Sequence, residues 1–368
     1  MTSYPRRSAL ALFGTAFLAG CLSDPDDFPG GDNSSPDAGM PGSDDPSENE
    51  VPTTDNSLPL PAEPDTLHDA MTRGAAKDAI PAISAPEYMD ATAADAFLDA
   101  GDPVFGVSRD DEAKAYPQYI LVWHEIVNGD LSGDGVSITY CPLTGTAQGF
   151  YRDDVTFGVS GMLLNSNLIM YDRETDSYWP QMLATGISGI HTNDTLVEFD
   201  VVWTTWENWR REYPDTEVLT EETGYARNYN RDPYGSYNPK DGHYEDGSLL
   251  YPPFEEAGSE WAYHPKTVFL GARTEDGSFA VEKAELAEAG ICTGEVAGNE
   301  YVMVYDDALD TGWCYRNSDG RSITHDNGHP SVDGSEYPPD SLPLESIVRY
   351  DAMWFAWIGY YPDTVILT

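Results

Sequence analysis

"WENWRREYPDTEVLT", residues 206–220, returns at the end of the chain as "WFAWIGYYPDTVILT", residues 354–368. Both tryptophans and the Tyr-Pro-Asp-Thr sequence coincide between the two stretches. Tryptophans three residues apart are typical of a short helix that packs one face on a core. The proline ends each helix, because it disfavours helical conformation in the residue before it. The closing apolar run predicts a strand.

The repeat extends towards the N-terminus in the same order. Residues 104–116 resemble residues 268–281, residues 136–140 match 301–305, and "FYR" at 150–152 matches "CYR" at 314–316. In each half we expect a strand–turn–strand, a short helix, an apolar strand and a Gly-rich loop before the tryptophan helix. The sequence therefore predicts an α+β fold, rich in antiparallel strand, with two internally repeated halves packed together and short helices.

The N-terminus has the features of an export signal. Arg6 and Arg7 precede a short apolar run, which ends in Leu-Ala-Gly-Cys at residues 18–21. This end resembles a lipobox, in which the cysteine is lipidated, and the paired arginines resemble a twin-arginine signal. A plain signal peptide with a chance Cys21 is the alternative. We expect residues 1–20 to be removed and Cys21 to anchor the protein to the outer face of the cytoplasmic membrane, its only membrane contact.

Composition divides the rest of the chain. Residues 22–67 hold twelve acids and no Lys or Arg, so they cannot bury enough apolar surface to offset the entropy of ordering. We therefore predict an acidic disordered tether over 21–67. The first repeat half then covers 68–220, an irregular Tyr-, Asn- and Gly-rich connection covers 221–265, and the second half covers 266–368.

The net charge of −45 exceeds what the tether contributes, so the folded part is strongly acidic too. Self-repulsion on this scale destabilises a compact domain in dilute buffer. At about 1 M salt the Debye length falls to roughly 3 Å, which removes most of that repulsion. The balance resembles that of extreme halophile proteins, and it argues against a nucleic-acid partner, which needs a basic surface.

The cysteines suggest one disulfide and one odd thiol. Cys292 aligns with Val127 and Cys314 with Phe150, so an apolar pair in the first half becomes two thiols in the second. In an exported protein such a pair can oxidise, and we predict a Cys292–Cys314 disulfide; two small buried hydrophobic residues are the alternative.

Cys141 then has no cysteine partner, and it ends a predicted strand 17 residues after His124 ends a predicted helix. A histidine beside a cysteine can generate a thiolate, which predicts a Cys141 nucleophile with a His124 base. The same pair could begin a site for a soft transition metal. The alternative is a buried cysteine and a helix-end histidine. The second half has Asp306 and Ala289 in their places, so the repeated fold requires neither.

Two polar segments complete the candidates. Residues 158–181 place Asn165, Asn167, Asp172, Arg173 and Gln181 among large apolar residues, where buried polar groups either stitch the core or line a pocket. Residues 223–239 add Arg227 among tyrosines, which suits an anionic or sugar-like ligand, or simply a packed loop.

Together these motifs resemble the domain-of-unknown-function 3179 family of bacterial and archaeal proteins, from about Asp78 to the C-terminus. The resemblance implies that His124, Cys141 and the polar residues of 158–181 belong to one characteristic core, without implying an activity. Family members often have Cys-Pro-Leu-Cys where this chain has Thr144. A two-thiol redox couple therefore cannot operate at this loop.

We favour a small-ligand or metal-binding pocket in the first half, around Cys141, His124 and residues 158–181. A thiol-dependent enzyme is the second hypothesis. A non-catalytic structural or interaction module at the cell surface is the third.

The lipid anchor gives the first testable prediction. Replacing Cys21 by Ser should move the protein from the membrane fraction to the medium, because the lipid is its expected anchor. Cell fractionation followed by immunoblotting measures this change, and Cys292→Ser serves as the matched control that should stay with the membrane. Equal retention of the Cys21 variant would contradict lipidation.

Overall fold

The computed structural model describes residues 51–234, 247–251, 253–254, 262–326 and 329–368. The predicted signal peptide, Cys21 and the tether up to residue 50 lie outside the described residues. Within them the first part of the chain contains β1 Thr53–Thr54, α1 Pro64–Asp69, β2 Thr72–Arg73, β3 Tyr88–Asp90, α2 Ala91–Ala94, β4 Pro103–Arg109, β5 Glu112–Pro117, α3 Gln118–His124, β6 Ile126–Leu131, β7 Asp134–Cys141, β8 Thr146–Tyr151, β9 Phe157–Leu164, β10 Asn167–Asp172, β11 Tyr178–Pro180, a 3-10 turn at Gln181–Leu183, β12 Thr195–Leu196, β13 Glu198–Phe199, β14 Val202–Thr205, α4 Trp206–Glu212 and β15 Glu217–Leu219.

The second part contains β16 Val268–Thr274, β17 Gly277–Glu282, α5 Lys283–Ala289, β18 Ile291–Val296, β19 Asn299–Asp306, β20 Thr311–Arg316, β21 Ile323–Asp326, β22 His329–Val332, β23 Ser335–Glu336, β24 Glu345–Ile347, β25 Arg349–Met353, α6 Trp354–Tyr360 and β26 Val365–Ile366. Most strands pair antiparallel and the helices are short. This arrangement confirms the predicted α+β class rich in antiparallel strand.

Each half builds two sheets with the same strand order. The first half has β14-β4-β5-β15-β3 and β13-β8-β7-β6, and the second has β25-β16-β17-β26 and β24-β20-β19-β18. The closing strand of each half pairs parallel, β15 with β5 and β26 with β17. From β4 to β8 every element has its counterpart 165 residues later with the same length. This correspondence supports the predicted duplication, and it aligns Cys314 with Gly149 rather than with Phe150.

A tryptophan packs against a glycine in both halves. A Cβ atom on Gly106 would lie 2.2 Å from the Trp209 ring, and a Cβ atom on Gly271 would lie 2.2 Å from the Trp357 ring. Both tryptophans are fully buried. Only glycine lets α4 and α6 approach β4 and β16 this closely, because any side chain would overlap the indole.

The repeated Tyr-Pro-Asp-Thr sequence completes the same unit. The Trp209 indole nitrogen donates to the Thr216 hydroxyl at 3.0 Å, and Trp357 donates to Thr364 at 2.9 Å. A buried indole N–H needs a hydrogen-bond partner, and the threonine that follows the proline turn provides it. The opening motif therefore encodes a helix, its turn and the polar partner of its anchor.

The halves pack together through one apolar cluster that includes residues of both, such as Phe105 and Trp357. A buried ion pair also crosses the junction: Arg273 of β16 donates to Glu198 of β13 at 3.0 Å. The Gln148 amide donates to the same carboxylate oxygen at 3.0 Å. Such a pair fixes the relative register of the two halves, because breaking it leaves a buried charge unpaired.

The predicted tether ends too late at residue 67. Val51 and Leu67 are buried in the core shared with the first half, and β1 pairs antiparallel with β12. The helix α1 begins with Pro64 in its first turn, where proline's fixed φ suits a helix start. A few apolar residues at this end thus bury enough surface to order a segment whose average composition is polar. Among the described residues, no helix has both the length and the apolar character needed to cross a membrane.

The glycine–tryptophan contact yields a stability prediction. Gly106→Ala and Gly271→Ala should each lower the free energy of unfolding by about 1–3 kcal/mol, because the new methyl group overpacks the core. Gly101→Ala is the matched control, since no heavy atom lies within 4 Å of its Cβ position. Urea unfolding at high salt measures all three. Equal midpoints for Gly106→Ala and Gly101→Ala would contradict the packing argument.

Candidate functional site

Cys141 ends β7 inside the core and is 1% exposed. Its sulfur accepts a hydrogen bond from the Leu168 amide at 3.4 Å and lies 3.8 Å from the Ser166 carbonyl oxygen. Burial, with a contribution from the Glu125 carboxyl, raises the pKa of the thiol to about 11. The thiol is therefore protonated at neutral pH, whereas a reactive cysteine has a lowered pKa and access to solvent.

The place of Cys141 in its hairpin has a structural explanation. Asp172 and Asp306 occupy the same position in two other hairpins, and each accepts a hydrogen bond at 3.0 Å from a tryptophan seven residues on, Trp179 and Trp313. All three turns have a left-handed residue four positions after this site. Cys141 thus replaces a turn-bracing aspartate and accepts an amide N–H from β10 instead.

His124 is fully buried at the end of α3. Its Nδ1 lies 2.8 Å from the Pro81 carbonyl oxygen, which can only accept, so Nδ1 carries the proton. Nε2 therefore accepts from the Tyr229 hydroxyl at 2.7 Å. Burial lowers the pKa of His124 to about 4. The structure does not form the predicted nucleophile–base pair: in the described chain no hydrogen bond joins Cys141 and His124, and the two pKa values move away from a thiolate–imidazolium pair.

The predicted metal site receives no support from the geometry. Among the described residues, no three His, Cys, Asp or Glu side chains are grouped so that they could hold a metal ion.

Two buried amides of residues 158–181 bond to each other and to neighbouring protein groups. Asn167 donates to Thr144 and Gln181 at 3.0 and 2.9 Å and accepts from the Met182 amide at 3.1 Å. Gln181 in turn donates to the Thr139 hydroxyl at 2.8 Å. This network joins β7, β10 and the 3-10 turn. It supports the first of the two predicted alternatives, in which these residues hold the core together.

Asn165 and Asp172 are likewise bound by protein groups. Asn165 donates to the Ala356 carbonyl at 2.9 Å, across the junction, and accepts from the Phe254 amide at 2.9 Å. Asp172 accepts from Thr175 and Trp179. Both side chains are buried and bound to protein groups, which supports the alternative that they hold the core together.

The two arginines lie away from this network. Arg173 forms a bidentate ion pair with Asp78 at 2.7 and 3.0 Å on the surface. Arg227 lies 6.0 Å from the centre of the Trp123 ring, and its charge helps to lower the pKa of His124. The predicted ligand-binding set is therefore not brought together at one place.

The predicted Cys292–Cys314 disulfide does not form. Cys292 pairs with Met303, and Met303 pairs with Cys314, so β19 lies between the two cysteines. Two strand spacings separate them by roughly 10 Å, which exceeds the span of a disulfide. Cys141, Cys292 and Cys314 are all free and buried thiols, the second of the two predicted readings for Cys292 and Cys314.

A cleft of about 500 Å³ opens on the first half, beside α3. One side consists of residues 96–103 and of α3, and the other of the connection at Glu221 and residues 229–232. Its lining residues are Ala96, Phe97, Asp102, Pro103, Gln118, Tyr119, Val122, Glu221, Tyr229, Asn230, Arg231 and Asp232. We call residues 229–234 the cleft wall.

Three consecutive residues at the end of α3 bind the cleft wall. The Trp123 indole donates to the Arg231 carbonyl at 3.0 Å, and His124 accepts from Tyr229 at 2.7 Å. The Tyr234 hydroxyl donates to the Glu125 carboxyl at 3.2 Å. These hydrogen bonds fix the irregular wall to a rigid helix end. A precise binding site built on a loop needs such support.

The cleft carries more negative than positive groups. Asp102, Glu221 and Asp232 line it with Arg231 as the cation. Burial, and after it the carboxylate of Glu221, raise the pKa of Tyr119 above its usual value. Carboxylates, an amide and tyrosine rings suit a neutral ligand with many hydroxyl groups better than an anion.

The chain matches one protein family over most of its length. The family model is described as a protein of unknown function, DUF3179, and it matches residues 77–364. The chain belongs to this family. No curated protein and no solved structure matches the chain significantly. The resemblance found in the sequence is therefore confirmed.

Sequence reasoning did not identify Trp123 or Tyr229 of this DUF3179 protein as site residues. The available signal was the comparison of the halves, in which Trp-His-Glu at 123–125 replaces Glu-Ala-Gly at 288–290. When two copies of a fold differ in three adjacent residues, the difference indicates a role that only one copy has. The partner loop could not be identified from the sequence, because the connection has no counterpart in the repeat.

The state of Cys141 gives a direct test. Maleimide labelling of the folded protein at pH 7.5 and high salt should leave Cys141 unmodified, because the thiol is buried and protonated. Peptide mass mapping should show full labelling of Cys141 only after unfolding. Cys292 and Cys314 should also label after unfolding without a reductant. Rapid, pH-dependent labelling of folded Cys141 would restore the nucleophile hypothesis.

Proposed function

We propose that this DUF3179 protein is an exported, lipid-anchored protein that binds a small, neutral, hydroxyl-rich ligand, such as a sugar, in the cleft beside α3. The observation that carries the proposal is the cleft itself, whose wall is hydrogen-bonded to three consecutive residues of a rigid helix end. Its size is that of a site for a small molecule.

The lining chemistry supports this ligand class. Carboxylates of Asp102, Glu221 and Asp232 and the guanidinium of Arg231 line the cleft, and groups of these kinds form hydrogen bonds with ligand hydroxyls. The rings of Tyr119 and Tyr229 offer apolar faces with polar edges, and the largely exposed Phe97 adds a further ring. An anionic ligand would face three carboxylates, so of the two ligand classes suggested by the sequence the sugar-like one is favoured.

The place of action follows from the N-terminus. A twin-arginine signal with a lipobox would put the protein on the outer face of the cytoplasmic membrane. The acidic surface argues against a nucleic-acid partner and agrees with a medium of high salt.

A second function, a non-catalytic structural or interaction module, is favoured by one observation. The predicted polar core residues Asn167, Asp172 and Gln181 are buried and hydrogen-bonded to protein partners. Their role is to hold the fold whether or not the cleft binds a ligand. The thiol-enzyme alternative is not favoured, because Cys141 is buried and protonated.

Cleft binding can be tested by filling the cleft. Saturation-transfer NMR with glucose, trehalose, sucrose, glucose 6-phosphate and choline should show binding of at least one neutral sugar to the parent protein at high salt. Ala96→Trp should abolish the signal, since Ala96 is exposed and lines the cleft. Ala284→Trp is the matched control on α5, at the position equivalent to Tyr119, and it should bind as the parent does.

The outcomes separate the hypotheses. Binding of a saccharide that Ala96→Trp removes and Ala284→Trp retains supports the sugar cleft. Binding of choline or glucose 6-phosphate in place of the neutral sugars would overturn the ligand class. Absence of binding across the whole panel, with a folded protein, would favour the structural module.

A further inference from the structure

Glu125 occupies a backbone position that normally belongs to glycine. It follows the last residue of α3 with φ +57°, and the equivalent residue after α5 is Gly290 with φ +77°. Helices commonly end in this left-handed conformation. Glycine adopts it without strain, whereas a residue with a side chain, such as glutamate, does not. The second half therefore indicates that the fold by itself favours glycine at this position. The glutamate in the first half has a cost in backbone conformational energy.

The side chain of Glu125 has a defined environment. It is 6% exposed, and its carboxyl accepts from the hydroxyl of Tyr234 in the cleft wall. Its charge also helps to raise the pKa of the Cys141 thiol. The backbone of Glu125 repeats the hydrogen bonds that Gly290 makes, from its N–H to α3 and from the Tyr140 N–H to its carbonyl. Only the side chain is new, and it reaches the wall.

We propose that Glu125 is a positioning residue for the ligand cleft, one that fixes the cleft wall through Tyr234 and releases it on losing its proton. The inference rests on the proposed ligand-binding function. Glu125 does not touch the cleft itself; it acts through the wall, whose residues Tyr229 to Asp232 line the cleft. Its neighbour His124 fixes the same wall through Tyr229.

The sign of the pH response follows from burial. Burial in the closed wall raises the pKa of Glu125 to about 7, against an ordinary value of 4.5, and outweighs the hydrogen bond from Tyr234, which by itself favours the ionised carboxylate. The closed wall is the state in which Tyr234 is bonded to Glu125, and its stability is thus greatest below about pH 4.5. This stability falls as pH rises and reaches a constant lower value above about pH 7. Over the same range His124 stays neutral, since its pKa is about 4, so its hydrogen bond to Tyr229 does not change.

Hydrogen exchange of peptides spanning residues 229–234, corrected for the intrinsic rate at each pH, tests the proposal on the full chain. In the parent the corrected rate should rise more than about tenfold between pH 5 and pH 7 and then level off. Glu125→Gln should abolish this dependence, because the amide does not ionise yet can still accept from Tyr234. A pH profile for Glu125→Gln like that of the parent would overturn the proposal.

Glu125→Gly separates a positioning role from a structural one. This variant restores the residue that the second half uses, so its urea midpoint should equal or exceed that of the parent. Its wall should nevertheless exchange about tenfold faster at pH 5, because Tyr234 has lost its partner. A lower urea midpoint with an unchanged wall would assign Glu125 to the fold and refute the proposal.

The test also separates this proposal from the proposed function. Wall exchange needs no ligand, so a failure of every sugar to bind leaves the exchange result to decide the role of Glu125. If trehalose or glucose binds, its affinity in the parent should fall from pH 5 to pH 7 and that of Glu125→Gln should not. Binding that is independent of pH in both would overturn the role of Glu125 while the sugar cleft stands.

Discussion

The packing of an indole directly on a glycine sets the geometry of each half. Trp209 and Trp357 occupy the space that a Cβ atom of Gly106 or Gly271 would fill. This contact brings the tryptophan helix onto the first strand of its sheet, and the threonine after the proline turn satisfies the indole N–H. The turn then leads the chain into a strand that pairs parallel with the second strand. One large buried side chain thereby fixes a helix, a turn and a strand at once.

The candidate site follows from how the first half departs from this common plan. The second half ends its equivalent helix with Glu-Ala-Gly, the last of which suits the left-handed backbone there. The first half has Trp-His-Glu, and all three side chains contact the connection between the halves. The connection gains a rigid support from these contacts, and the cleft lies where it stands away from α3. The two halves share the same succession of strands and helices, and the three residues that differ at one helix end lie beside the candidate cleft.

The fold was predictable from the sequence because both copies of the motif keep the residues that determine the structure: paired tryptophans, a proline turn and an apolar strand. The disulfide was not, since spacing along the chain does not reveal that Met303 of β19 separates Cys292 from Cys314. Aligning Cys314 one residue out of register added to that error. The polar segment was recognised as buried, yet sequence alone could not tell a saturated network from a pocket lining, because Asn167 and Gln181 find their partners in strands far along the chain.

The buried polar groups divide into two kinds, and the division bears on function. Neutral amides and hydroxyls around Asn167 satisfy one another, so their protonation never changes and the network is equally stable at every ordinary pH. Glu125 is different, because it is an ionisable group that burial keeps near its titration point. A fold that needed only a helix end at this position has glycine, as the second half shows. A buried titratable side chain on a costly backbone conformation, joined to the wall of the cleft, is the combination on which the proposed positioning role of Glu125 rests.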